Sequence, residues 1–112
     1  LARGFGFFKG AFVVLHFMHR ARYNRLISAV LDHPQLIGVG IDEETALLVR
    51  ADGQWEVLGN YYVKIFDARR AQIVDDRGPM AKAADIRMHV LPEGGLFDPR
   101  RRRVEFQEVN IP

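Results

Sequence analysis

The residues of this chain whose types and spacing suit chemistry are one histidine, three arginines and two carboxylates. His16 stands at the end of an apolar run, Arg20, Arg22 and Arg25 follow it, and Asp42-Glu43 closes a second apolar run. An imidazole beside a carboxylate suits general-base work, the carboxylate fixing its tautomer and orientation. Guanidinium groups suit the planar, bidentate capture of carboxylates. Each also has a plainer reading. A histidine beside a turn is commonly solvated, and Arg20, Arg22 and Arg25 spread over about half of a helix surface at ~100° per residue.

What is missing narrows the chemistry further. There is no cysteine, which removes disulfides, thiolate zinc sites and cysteine catalysis. Ser28 is the only serine and Thr45 the only threonine. Ser28 lies between Ile27 and Ala29 in a helical pattern, not on the strand-to-helix elbow that exposes a reactive hydroxyl. The chain thus offers a candidate base without a nucleophile. It opens on Leu1 rather than methionine, which suggests a processed product or a piece of something longer.

The remaining motifs carry less. Gly4-Phe5-Gly6-Phe7-Phe8-Lys9-Gly10 has neither the spacing nor the strand-then-helix context of a nucleotide loop, so no cofactor is implied. His19, His33 and His89 show no metal-binding spacing; His33 precedes Pro34 at a helix end, and His89 reads as a packed or edge strand position. Arg100 to Arg103 is a basic run beside a turn, the one feature that suggests a polyanion partner. It is short and lacks interleaved aromatics, which argues against nucleic acid.

These residues must be positioned by the elements around them. Phe12 to Leu15, with Phe17, reads as a buried strand, and Leu36 to Ile41 as a second. Between them, Leu26, Ile27, Val30 and Leu31 mark the apolar face of a helix running from His19 to Asp32, which His33-Pro34 ends. Strand, helix and strand make a βαβ unit with parallel strands, and ligand sites in such sheets lie beyond the carboxyl ends of the strands. His16 and Asp42-Glu43 fall there. Gly38 and Gly40, on one face of the second strand, leave room for a neighbouring backbone or side chain.

The second half reads as a mainly antiparallel β region. Ala46 to Arg50 and Gln54 to Leu58 flank the hairpin loop Ala51-Asp52-Gly53; Tyr61 to Asp67, Ala71 to Val74, Ile86 to Leu91 and an edge strand within Val104 to Val109 follow. With one helix only, one sheet face is expected to stay open unless more chain, or a partner such as a second copy, covers it. The 112 residues suit one domain, 48% hydrophobic and 27% charged, with a net charge of +2 too small to choose a partner. No apolar run approaches membrane-spanning length, and the Ala11 to Met18 stretch, broken by His16, lacks a signal-peptide cleavage site; a cytoplasmic protein is expected.

Several of these segments together resemble the C-terminal half of cyanophycinase-like serine peptidases, relatives of α-aspartyl dipeptidase. The segments are Gly4-Phe5-Gly6-Phe7-Phe8, Leu15-His16-Phe17, Arg20-x-Arg22-x-x-Arg25-Leu26 and Gly38-Val39-Gly40-Ile41-Asp42-Glu43-x-Thr45-Ala46-Leu47. The resemblance covers about residues 4 to 67. It implies a three-layer α/β fold like that of class I glutamine amidotransferases (flavodoxin-like), of which residues 1–112 would be the C-terminal portion. It also implies a Ser/His/carboxylate exopeptidase acting on a peptide or isopeptide, with the serine upstream of Leu1. His16 then corresponds to the catalytic base, Arg20, Arg22 and Arg25 to substrate-binding arginines, and Asp42 and Glu43 to orienting or pocket carboxylates, neither singled out.

The family pattern places Asp-Gln immediately before the histidine, where this chain has Val14-Leu15. That departure bears on specificity for cyanophycin, an aspartate-arginine polymer. The alternatives are a non-catalytic relative or ligand-binding α/β domain, and a basic polyanion-binding domain.

Overall fold

The computed structural model describes residues 10–15, 20–74 and 82–106. Among these residues, two four-stranded sheets and one helix form three layers. β1 (Ala11–Leu15), β2 (Ile37–Ile41), β5 (Val63–Asp67) and β8 (Arg87–Leu91) make the central sheet in the order β1-β2-β5-β8. β1 and β2 run parallel, with Leu15 opposite Ile41, as a strand-helix-strand unit requires. β5 and β8 are antiparallel additions.

The helix α1 (Arg20–Asp32) covers one face of this sheet. Its Leu26 and Val30 are fully buried against Val14, Phe66 and Ala68, and Tyr23, Ile27 and Leu31 pack around them. Each such side chain contributes about 1.5–3 kcal/mol of burial. The helix comes this close because Gly38 lies beneath it. A Cβ at that position would stand 2.6 Å from Val30 Cγ1 and 3.1 Å from Leu26 Cδ1. The helix ends at Asp32, just before His33-Pro34 as expected, and the His33 and Leu36 amides close the turn onto Ala29 and His33 carbonyls.

The face expected to stay open is covered. β3 (Thr45–Val49), β4 (Trp55–Gly59), β9 (Leu96–Asp98) and β10 (Arg103–Glu105) form a second, antiparallel sheet in the order β10-β9-β4-β3. Its Trp55, Val57 and Phe97 bury against Val13, Val39, Ile41, Val63, Ile65 and Leu91 of the central sheet. The open-face expectation counted helices as the only cover; here a sheet does the same work. β9, only three residues between turn signals, was too short to show a period in the sequence. A two-stranded ribbon, β6 (Gln72–Val74) with β7 (Lys82–Ala84), extends between β5 and β8.

The Ala51-Asp52-Gly53 hairpin forms as expected, with Gly53 at φ +90° and the Arg50 amide donating to the Gln54 carbonyl. The architecture is mixed α/β. Among the described residues, no helix is long and apolar enough to cross a membrane. Gly4 to Lys9, His16, Phe17, His19 and the chain beyond Phe106 lie outside the described residues.

Candidate functional site

The parallel strands β1 and β2 end together, and their carboxyl edge is where the sequence reading gathered its chemistry. His16 follows Leu15 in the chain but lies outside the described residues, so no geometry attaches to it. Its neighbours are described. Val14 is buried in the helix-side core, whereas Leu15 is about half exposed at the sheet edge. Arg22, one turn into α1, donates from Nη1 to the Leu15 carbonyl at 2.5 Å, tying the start of the helix to the end of β1. Arg25 is exposed, and Arg20 is placed by its backbone alone as the first residue of α1.

Asp42 and Glu43 part company. Asp42 is 3% exposed and its Oδ2 accepts from Lys64 Nζ at 2.5 Å and from the Tyr62 amide at 3.1 Å. Glu43, the next residue, presents an exposed side chain on the turn that carries the chain from the central sheet to the outer one. That turn is held on several sides. The Thr45 hydroxyl donates to the Glu43 carbonyl at 3.0 Å and accepts from the Tyr61 amide at 3.2 Å, while the Asn60 amide donates to the Glu44 carbonyl at 3.0 Å.

Gly59 permits the close approach. It adopts φ +114°, and a Cβ there would fall 2.3 Å from the Glu44 carbonyl oxygen. The backbone presenting Glu43 is therefore fixed by the chain's only threonine and by Gly59, sixteen residues downstream of Glu43, neither of which sequence reading had assigned to the site.

Lys64 was also missed. It stands opposite Gly40 on the helix side of the sheet, and Gly40 has no side chain to separate it from Asp42. Its ammonium lies 5.4 Å from the Tyr62 ring centroid and 6.0 Å from that of Tyr23, which itself packs edge-on against Phe66. The signal available in the sequence was only an alternating polar position in a strand, and such positions normally face water.

The basic run Arg100 to Arg103 does not form a patch. Arg102 turns inward at φ +55°, donating to Asp67 Oδ1 at 2.8 Å and to the Gln35 carbonyl at 2.6 Å; both ion-pair side chains are nearly buried. Asp98 caps the same turn by accepting from the Arg100 and Arg101 amides. The adjoining cleft, about 270 Å³, is lined by Arg101 and Arg103 but also by Asp98 and Glu105. A mixed lining of this kind lacks the one-sign field that draws a polyanion.

His89 sits half-buried on β8 with its ring 5.9 Å from that of Phe97, a packed strand position as expected. Its Nε2 is buried without a hydrogen-bond partner among the described residues, and burial pushes its pKa down. Among the described residues, no three His, Cys, Asp or Glu side chains converge as metal ligands would.

Comparison with known proteins gives the family setting. No family model matches the chain. It is 38% identical over 117 aligned positions to a cyanophycinase from Synechococcus elongatus, an alignment that takes in all of this chain and 36% of that protein. Against a cyanophycinase from Trichormus variabilis it is 36% identical, over 93% of this chain and 36% of the relative. Against one from Geminocystis herdmanii it is 33% identical, over 88% of this chain and 38% of the relative. The chain spans little more than a third of the length of the curated relatives it matches. Over that span it is a relative of the cyanophycinases.

Proposed function

We propose that the chain is the C-terminal part of a serine-type exopeptidase resembling cyanophycinase, which hydrolyses a peptide or isopeptide with a serine supplied from sequence upstream of Leu1. The observation that carries this reading is the shared edge. Parallel β1 and β2 end side by side, with the histidine next in the chain after one strand and a fixed carboxylate turn after the other. In this reading His16 takes the proton from the upstream serine as it attacks the carbonyl and returns it to the leaving amine.

Glu43 is the better orienting partner for that histidine. Asp42 is 3% exposed and is held by Lys64 and the Tyr62 amide, whereas Glu43 is exposed on a braced turn. Arg22 has a positioning part through the Leu15 carbonyl, and Arg20 and the exposed Arg25 are the arginines that would meet a substrate carboxylate in this reading. The exposed Leu15 where the family has a polar residue supports a substrate other than the aspartate-arginine polymer.

The test uses the full-length product of the reading frame that encodes this chain. An organophosphonate serine probe is expected to label it, and His16→Ala is expected to abolish both labelling and peptidase turnover. Normal turnover in His16→Ala refutes the mechanism. Absence of labelling in the wild type favours the non-catalytic relative, a reading supported by the loss of both polar residues at Val14 and Leu15.

A further inference from the structure

Lys64 contradicts its position. A lysine on a strand flanking a helix-covered face normally extends its ammonium to water, yet the Lys64 side chain is only 11% exposed. It spends its charge on Asp42, whose side chain is 2% exposed, and it does so between two tyrosine rings. A buried carboxylate flanked by aromatic faces is the chemistry of a receptor for an organic cation: the carboxylate supplies the counter-charge and the ring quadrupoles attract it further.

The receptor is not fully used by its occupant. Asp42 Oδ1 is buried and has no hydrogen-bond partner among the described residues, while Oδ2 takes both the ammonium and the Tyr62 amide. An ammonium is a point charge that engages one oxygen here. A guanidinium is a planar fork that engages two. The free oxygen therefore marks the cage as one whose carboxylate has capacity for a planar cation.

We infer that Asp42, Tyr23 and Tyr62 form a cation cage suited to an alkylammonium or guanidinium group, and that Lys64 fills it from within. The cage lies at the carboxyl edge of β1 and β2, next to Glu43. Resting on the peptidase reading, a substrate's cationic side chain is excluded from this place, so Arg22 and Arg25 set the sign of the edge and acidic groups are preferred.

The test separates the cage from the catalytic reading because it measures thermal stability alone, on the intact protein. Lys64→Ala removes the side chain beyond Cβ, and propylammonium replaces the missing atoms. Lys64→Ala is expected to melt several degrees below wild type, and 20 mM propylammonium or methylguanidinium to restore about 3 °C saturably, where 20 mM sodium chloride does not and wild type does not respond.

Lys64→Arg gives a second measurement should Lys64→Ala fail to fold. It is expected to melt within about 2 °C of wild type, while the uncharged Lys64→Met melts well below it. A Lys64→Met protein as stable as wild type, or a Lys64→Ala protein indifferent to both cations, overturns the cage.

Discussion

Gly38→Ala tests how the helix that carries the arginines is seated. The added methyl would stand 2.6 Å from Val30 Cγ1 and 3.1 Å from Leu26 Cδ1, in a layer where Val30 is fully buried and Leu26 nearly so. Neither side chain has open space to retreat into, and β2 is buried along its whole length. Overpacking of this kind costs about 1–3 kcal/mol. For a chain of this size that is roughly 4–12 °C in melting temperature.

Val30→Ala alone removes the Cγ1 that would clash, and costs about 2 kcal/mol as lost burial plus cavity. The two changes are complementary, because the new methyl fills part of the space the old one leaves. The double variant is therefore expected to be less destabilised than the sum of the singles by about 1–3 kcal/mol. Urea denaturation of the four proteins measures the cycle. A Gly38→Ala protein within about 0.5 kcal/mol of wild type, with additive singles, would refute the close-packing argument.

Arg102→Met is expected to destabilise by about 3–5 kcal/mol, because it leaves the buried Asp67 carboxylate without its counter-charge; chemical denaturation of Arg102→Met beside Asp67→Leu/Arg102→Met, in which much of the loss is recovered, checks this. His89 is held neutral by burial, its native pKa lying below the ordinary value of about 6.5. The unfolded chain therefore binds more protons as pH falls below about 6.5, so stability is lost in that direction. His89→Leu is expected to flatten this part of the stability-pH curve, and an unchanged slope would rule the histidine out. Glu43→Gln in the full-length protein is expected to lower turnover by about 10²–10⁴-fold, whereas Asp42→Asn, which removes the counter-charge of the nearly buried Lys64, is expected to lower melting temperature. Gly59→Ala is expected to cost well over 1 kcal/mol in thermal melts, since its methyl would overlap the Glu44 carbonyl.

The parts of the fold legible in the sequence are those set by local pattern. The apolar runs, the spacing of Leu26, Ile27, Val30 and Leu31 and the His33-Pro34 stop define the βαβ unit, and the Ala51-Asp52-Gly53 loop defines its hairpin. What was illegible depends on distant pairing. The outer sheet joins β9 to β4 across about forty residues, and no local signal says that a sheet rather than a helix covers Val39 and Ile65.

The site divides in the same way. Asp42-Glu43 at the strand end was visible from the run preceding it. Asp42's partner was not, because Lys64 reaches it only through the antiparallel pairing of β2 with β5. Arg102 misled for a related reason: four consecutive arginines read as one basic run beside a turn, whereas Arg102, with its left-handed backbone, turns inward.

The two ion pairs bracket β2 and β5. Asp42–Lys64 lies at the carboxyl end of β2, and Asp67–Arg102, with the Gln35 carbonyl, lies at its amino end. These strands are separated in sequence by the whole β3–β4 hairpin, so no tight turn dictates which residue faces which. A shift of one residue would turn Ile65 and Val63 out of the core and would also part both carboxylates from their cations. Alternative alignments of the central strands are thus penalised at both ends at once. The charges serve to make one alignment of the chain much better than its neighbours, whatever they add to overall stability.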